Sequence, residues 1–113
     1  MTPMLPKGIR IFVASEFIDG RRSFDGLAAI VKETLKKNPL AGDLYVFRNR
    51  TAKRMKALLW DRTGWILIAK RMESGTFKFP VSEDGSVEVD VNQLRLLLDG
   101  VELGYRPRRK VAL

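Results

Sequence analysis

The chain contains neither cysteine nor histidine among its 113 residues. Without cysteine it can form no disulfide, iron–sulfur cluster or thiolate zinc site. Without histidine it lacks the commonest metal ligand and the side chain that most often acts as a general base near neutral pH. Catalytic Ser-His and Cys-His pairs are therefore excluded, and we expect no metal and no cofactor.

Long hydrophobic runs are also missing. The longest, such as residues 65–69, have five apolar residues, whereas a membrane-spanning helix needs roughly 20. Residues 1–7 do not show the charged and then apolar order of a signal peptide. These features predict a cytoplasmic protein with no membrane partner.

Negative charge is scarce, because 13 acidic residues face 21 basic ones and the net charge is +8. Such a surplus favours a polyanionic partner, with nucleic acid the first candidate and an anionic membrane surface the second. The alternative is that the basic residues only keep a small protein soluble.

The charges are unevenly distributed along the chain. Residues 48–71 include eight basic residues and one acidic residue, whereas residues 83–102 include six acidic residues and one basic residue. The end of the chain is basic again, through Arg106, Arg108, Arg109 and Lys110. This pattern predicts one positive and one negative surface.

Short apolar runs rich in β-branched and aromatic residues predict a series of strands. They cover residues 9–14, 44–47, 55–60, 65–69, 76–79 and 86–89. The strands at 55–60 and 65–69 read as a hairpin, in whose turn Gly64 would take the left-handed conformation.

Helical periodicity predicts two helices. Phe24, Leu27 and Val31 fall on one face of a helix over 24–37 that Ser23 would cap. A shorter helix over 91–98 would begin at a capping box formed by Asp90 and Gln93. Gly26, near the start of the first helix, indicates a close approach of backbone or of a partner there.

These elements predict an α+β fold with a mainly antiparallel sheet, one longer N-terminal helix and one short C-terminal helix. Parallel βαβ units are not expected, and a strongly curled or barrel-like sheet is the alternative. One domain would span residues 1–104, followed by a basic, flexible tail at 105–113. The predicted core is Phe24, Leu27, Val31, Leu44, Val46, Leu58, Leu67, Ile68, Phe77, Leu94 and Leu97.

Four blocks of sequence occur in an order typical of one family. Residues 19–27 read Asp-Gly-Arg-Arg-Ser-Phe-Asp-Gly-Leu, and residues 42–50 read Gly-Asp-Leu-Tyr-Val-Phe-Arg-Asn-Arg. Residues 56–64 read Lys-Ala-Leu-Leu-Trp-Asp-Arg-Thr-Gly, and residues 70–80 read Lys-Arg-Met-Glu-Ser-Gly-Thr-Phe-Lys-Phe-Pro. Together they resemble the Orf2-like (TnpB-type) accessory proteins of the bacterial transposon family called insertion sequence sixty-six. This chain departs from the family pattern at four positions. Gly20 stands where the family usually has Met, Arg22 where it has Lys, Met72 where it has Leu, and Phe79 where it has Trp.

The resemblance implies a product of a mobile element that is needed for transposition beside a separate transposase, with no known catalytic activity. Transposase and other proteins of the same element are then the expected protein partners. The family-motif residues with an implied structural role are Asp19, Phe24, Asp25, Gly26, Trp60, Asp61, Gly64, Gly75 and Pro80.

If the protein were an enzyme, Asp19 and Asp25 would be its candidate catalytic carboxylates. Metal-dependent strand transfer needs carboxylates that converge on two metal ions about 3.5–4 Å apart. No third acidic residue has a matching spacing, so we interpret both residues as fixing the turn and the first helical turn. The sequence therefore predicts a protein that is not an enzyme.

Arg21 and Arg22 precede the first helix and allow two uses. Beside the free N–H groups of the helix terminus they could hold a phosphate. They could equally form an ion pair with Asp19 or Asp25, and the sequence leaves both uses open.

Trp60 and Trp65 flank the predicted hairpin turn, where cross-strand packing is favoured over stacking on bases. Arg48, Arg50, Lys53, Arg54 and Arg62 lie in nearby loops and are expected on one side of the domain, as a surface that follows phosphates. The alternative is a solvated basic edge that prevents sheets from pairing. The full predicted nucleic-acid-binding set is Arg21, Arg22, Arg48, Arg50, Lys53, Arg54, Lys56, Arg62, Arg106, Arg108, Arg109 and Lys110.

Two functional hypotheses follow. In the first, the protein is an accessory protein that binds DNA without sequence preference within the transposition complex, since no recognition-helix signature is present. In the second, it is an adaptor whose acidic face, residues 83–102, docks a basic transposase without direct DNA contact.

Overall fold

The structure, a computed structural model, describes residues 8–104, so the predicted tail at 105–113 lies outside the described residues. The elements along the chain are β1 (Ile11–Ala14), α1 (Phe24–Glu33), β2 (Leu44–Arg48), β3 (Arg54–Trp60), β4 (Trp65–Arg71), β5 (Ser86–Val89) and α2 (Val91–Leu98). In this described part no helix is long and apolar enough to cross a membrane.

The five strands form one open sheet in the order β4-β3-β2-β1-β5. Neighbouring strands pair antiparallel except β1 and β2, which pair parallel through the α1 crossover. The α+β class and the mainly antiparallel sheet are confirmed. The expectation of no parallel βαβ unit is wrong, because two strands joined through a helical crossover commonly lie side by side and parallel. The sheet is also not strongly curled.

A helix packs on each face of the sheet, and each of the two interfaces contains its own cluster of apolar residues. Phe12, Tyr45, Phe47 and Leu58 pack with Leu27 of α1 on one face. On the other face the alternate positions of the same strands pack against Leu94 and Leu97 of α2. The alternation of side chains along each strand therefore sorts the residues into an α1 face and an α2 face.

The core prediction holds in most positions. Leu27, Val31, Leu44, Val46, Leu58, Phe77, Leu94 and Leu97 are buried, and Leu67 and Ile68 are half-buried against the core. Phe24 is the exception, because its side chain is 41% exposed. It occupies the first position of α1, where a side chain on the apolar stripe extends past the packed part of the helix.

The first helix is shorter than its periodicity predicts. It has 10 residues and ends at Glu33, so it exceeds the 8-residue α2 only slightly. The N–H groups of Leu35 and Lys37 donate to carbonyls five and six positions back, at Ile30 and Val31. Lys36 adopts a positive φ of 58°. The backbone therefore unwinds before Pro39, and residues 34–37 are not helical.

Two further local predictions are wrong. Residues 76–79 form an irregular segment rather than a strand, although Phe77 and Phe79 are buried and the Phe77 N–H donates to the Ala52 carbonyl. In the β3–β4 turn the left-handed residue is Arg62, with φ 85°, and not Gly64. Asp61 organises that turn by accepting the N–H groups of Thr63 and Gly64, so the glycine has no conformational task there.

The two helix N-termini differ in a way that a substitution pair can test. Asp90 accepts the Gln93 N–H at 2.7 Å in a complete capping box, whereas the side chain of Ser23 makes no capping hydrogen bond at α1. We expect Asp90→Ala to lower the free energy of unfolding by about 1 kcal/mol. The matched Ser23→Ala variant should change it by less than about 0.5 kcal/mol. Chemical denaturation followed by circular dichroism measures both, and equal effects would contradict the assignment.

Candidate nucleic-acid interface

The N-terminus of α1 lies beside a group of cations on β3. Leu58 of β3 is buried on the α1 face, so Arg54 and Lys56, at alternate positions of the same strand, share that face. The Lys56 Nζ donates to the backbone carbonyl of Arg22 at 2.6 Å. The strand and the start of the helix thereby present Arg22, Arg54 and Lys56 on one part of the surface.

A second strand adds a cation directly opposite Arg54. The register of β3 and β4 pairs Arg54 with Arg71, an arrangement in which like charges destabilise a sheet. The Arg71 Nε binds Glu73 Oε2 at 2.9 Å. Arg54 forms no ion pair within residues 8–104, so its repulsion with Arg71 is only partly relieved by the protein.

The loop between β2 and β3 is ordered by one asparagine. Asn49 Oδ1 accepts the backbone N–H groups of Lys53 and Arg54 at 3.1 and 3.0 Å, and the Asn49 N–H donates to the Arg54 carbonyl at 3.0 Å. This closure leaves Arg50 and Lys53 exposed. We use the term basic corner for Arg22, Arg50, Lys53, Arg54, Lys56 and Arg71.

Two members of the predicted cluster lie apart from the basic corner. Arg48 is half-buried and turns inward, with its Nη2 donating to the Ser15 carbonyl at 3.3 Å. Arg62 lies in the turn beyond the far end of β3, a strand that spans about 20 Å from Arg54 to Trp60 at the usual rise per residue. The five loop cations therefore do not form one cluster, and Arg106, Arg108, Arg109 and Lys110 lie outside the described residues.

Arg21 and Arg22 have different surroundings. Arg21 forms a bidentate pair with Asp19, at 3.1 Å from Nε and 2.8 Å from Nη2, which holds the pKa of that carboxyl well below its usual range. Arg22 forms no ion pair with any residue of the described part. Its side chain crosses Gly26, where a Cβ would lie 3.3 Å from Nη1. The group that approaches the backbone closely at Gly26 is therefore the side chain of Arg22.

The tryptophans pack on each other. Trp60 and Trp65 are directly paired across β3 and β4, with ring centroids 4.9 Å apart in an edge-on arrangement. Both are half-buried. The neighbouring Asp61 has a pKa below its usual value, because its carboxylate accepts the backbone N–H groups of Thr63 and Gly64. These residues of the family blocks stabilise the hairpin turn.

The acidic run at 83–102 does not form one face. Glu88 pairs with Arg10, at 2.9 and 3.1 Å, which lowers the pKa of Glu88. Asp90 is used by the cap of α2. Glu83 and Asp84 instead lie in the turn before β5, where they line a cavity beside α1. The six acidic residues are thus divided among structural contacts, this turn, and the exposed Asp99 and Glu102 at and after the end of α2.

Sequence reasoning did not assign a second group of cations to any site. Lys32, Lys36 and Lys37 line a cavity of about 510 Å³ at the C-terminal end of α1. In the sequence, lysines at the C-terminal end of a helix are already accounted for by the helix macrodipole. Only their close spacing in the sequence could have drawn attention to them, because the positive φ of Lys36 that turns the chain there has no sequence signal.

The described residues also bear on metal binding. Among residues 8–104, no group of three or more acidic side chains is placed so that it could hold a metal ion. Asp19 is engaged by Arg21 in an ion pair, and Asp25 is exposed in the first turn of α1. Asp19 is thus held by Arg21, whereas Asp25 forms no ion pair with the described residues, and only Asp19 lines the cavity beside α1.

Comparison with known proteins gives consistent results. A model of the family described as IS66 Orf2 like protein matches residues 9–108. The uncharacterized protein y4jC of Sinorhizobium fredii is 38% identical over 105 residues, covering 93% of this chain and 90% of its own length. The uncharacterized protein y4hO of the same organism is 40% identical over 101 residues, covering 88% of each chain. No solved structure gives a significant match.

Proposed function

Because this chain belongs to the IS66 Orf2-like family, we propose that it is a non-catalytic accessory protein of an insertion sequence that supports transposition by binding DNA non-specifically through the basic corner. The observation that carries the proposal is the Arg54–Arg71 pair. Two arginines directly opposite each other on one face cost stability. A phosphate between them would relieve that repulsion and accept hydrogen bonds from both guanidinium groups.

The surroundings of this pair support a backbone contact. Arg50, Lys53 and Arg54 are exposed, and none of the three forms an ion pair within the described residues. Loop and strand cations that contact phosphates fix a protein on a duplex without reading bases. The cations of the basic corner lie on two strands, in a loop and just before α1 rather than along the face of a helix, which fits binding without sequence preference.

The experiment is a salt titration of affinity for a fluorescent duplex of random sequence. Each phosphate contact adds about 0.9 to the slope of log affinity against log salt. We expect the variant with Arg50→Gln, Lys53→Gln and Arg54→Gln to flatten the slope by about two to three units. Circular dichroism should show an unchanged fold, because exposed charges contribute little to stability.

A control variant removes the same charge elsewhere. Lys32, Lys36 and Arg95 are exposed, and they lie in the last turn of α1, in the segment after α1 and on α2, respectively. Replacing these three residues by Gln should change the slope by less than one unit. Equal flattening in both variants would show that net charge rather than the basic corner governs binding. Absence of DNA binding by the wild type would refute the proposal.

A further inference from the structure

A cavity of about 420 Å³ opens where the end of β1, α1 and the turn before β5 meet. Its inner wall is apolar and contains Ala14, Ile18 and Leu35, all buried, with the half-buried Ile30. The volume is in the range of about 300–1,000 Å³ that is typical of ligand pockets. The wall offers an apolar group a place that is out of water.

The rim of this cavity is negatively charged, whereas the protein as a whole has a positive net charge. Four carboxylates line it, from Glu16, Asp19, Glu83 and Asp84, against one guanidinium, from Arg22. Asp19 is compensated by Arg21, but Glu16, Glu83 and Asp84 are exposed and form no ion pair with residues 8–104. A chain with a net charge of +8 thus concentrates uncompensated negative charge around a concave apolar surface.

The walls are held in place by hydrogen bonds. Ser15, a buried polar residue, donates its N–H to the Gly85 carbonyl and accepts the Ser82 N–H on its Oγ at 2.8 Å. Its carbonyl accepts from Arg48, and the Ile18 N–H donates to the Arg48 carbonyl. Arg48 therefore fastens the segment after β1 to β2. A cavity fixed in this way loses little conformational entropy when it is filled.

An arginine side chain matches these surfaces. Its planar guanidinium binds carboxylates through several hydrogen bonds, and its aliphatic stem can lie on apolar surface. Phe17 adds an aromatic ring that is 52% exposed at the same cavity. The Arg48 guanidinium lies 6.0 Å from the centroid of this ring, and the exposed part of the ring can receive a second arginine. An aliphatic neighbour of that arginine could occupy the inner wall.

We propose that this cavity binds an arginine-bearing, partly aliphatic segment of another protein. Residues 105–113 of the chain itself are also basic, but the last described residues before them lie on the other side of the sheet. Leu103 packs against the α2-face cluster, whereas Ile30 and Leu35 place the cavity beside α1. The inference is independent of DNA binding, which uses different residues apart from Arg22.

The test uses the full chain and a fluorescein-labelled synthetic peptide, Gly-Ile-Arg-Leu-Arg-Ile-Gly, with binding followed by fluorescence anisotropy at low salt. A second peptide carries citrulline in place of both arginines and should bind at least about tenfold more weakly, because the charged hydrogen bonds are lost. The Glu83→Gln, Asp84→Asn double variant should weaken binding of the arginine peptide by about tenfold or more. Phe17→Ala should weaken it by about two- to fivefold.

The matched control neutralises Asp99 and Glu102, two exposed carboxylates of the same acidic run that do not line the cavity. This Asp99→Asn, Glu102→Gln variant should bind the peptide as the wild type does. Equal loss in both double variants, or equal binding of the citrulline peptide, would overturn the proposal. So would a tenfold gain in affinity when Arg106, Arg108, Arg109 and Lys110 are replaced by Gln, because the tail would then be the occupant.

Discussion

Phe47→Ala is expected to lower the free energy of unfolding by about 3–5 kcal/mol. Phe47 is fully buried in the cluster between the sheet and α1, where it lies beside Tyr45 and Leu58. Removal of the ring loses the favourable free energy of transferring it from water to the core. It also leaves a cavity that the neighbouring strands cannot fill. For a domain of this size the melting temperature should fall by roughly 15–30 °C.

Phe24→Ala provides the comparison, because the apolar periodicity of the sequence gives Phe24 the same status as a core residue. Its side chain is 41% exposed at the start of α1, so we expect a loss of about 1 kcal/mol or less. Urea denaturation followed by tryptophan fluorescence and circular dichroism measures both variants. Comparable losses in the two would show that the start of α1 packs more deeply than the exposure of Phe24 indicates.

Gly100→Val is expected to lower the free energy of unfolding by about 3 kcal/mol. Gly100 follows α2 with φ 83°, and an added Cβ would lie 2.6 Å from the Cε of Met72 and 3.4 Å from the Thr76 carbonyl oxygen. A β-branched residue is a genuine outlier at positive φ. The end of the Met72 side chain can move, but the backbone at Thr76 is held beside the loop before β3 through Phe77.

Gly75→Val separates the two causes. Gly75 has φ 75°, and an added Cβ would have no neighbour within 4 Å, so only backbone strain of about 1–2 kcal/mol should appear. The difference between the two variants in the same denaturation experiment is the contribution of close packing at Gly100. A loss at Gly75 as large as that at Gly100 would assign the whole effect to the backbone.

Local chemistry explains which elements could be predicted from the sequence. The α2 boundaries match because Asp90, Gln93 and Gly100 specify both ends through short-range hydrogen bonds and a positive φ. The β3–β4 hairpin matches because its strands are separated only by a four-residue loop. The predicted helix over 24–37 is longer than α1 for an equally local reason. Lys36 takes a positive φ, a conformation that glycine usually supplies and that a lysine does not signal in the sequence.

Long-range relationships explain what the sequence could not provide. The pairing of β1 with β5 brings together residues that are distant in the sequence, such as Arg10 and Glu88, which are 78 positions apart. The candidate interface has the same origin, because Arg54 and Arg71 become neighbours only through the register of two strands. In the sequence, Arg48 is indistinguishable from the other basic residues of its loop. Its contact with the Ser15 carbonyl, which turns it inward, is visible only in the structure. The cavity beside α1 combines three segments that no local pattern connects.

The position of β1 also sets the order in which the chain can fold during synthesis. Strands β2, β3 and β4 pair with sequence neighbours, so this meander can form as soon as it leaves the ribosome. β1 lies inside the sheet, and its second edge is completed only by β5, near the end of the described chain. At a synthesis rate of about 5–20 residues per second, the apolar edge of β1 stays open for seconds. The last strand and α2 thus act together as the closing step of folding, and a product truncated before Ser86 would expose an unpaired apolar strand to aggregation.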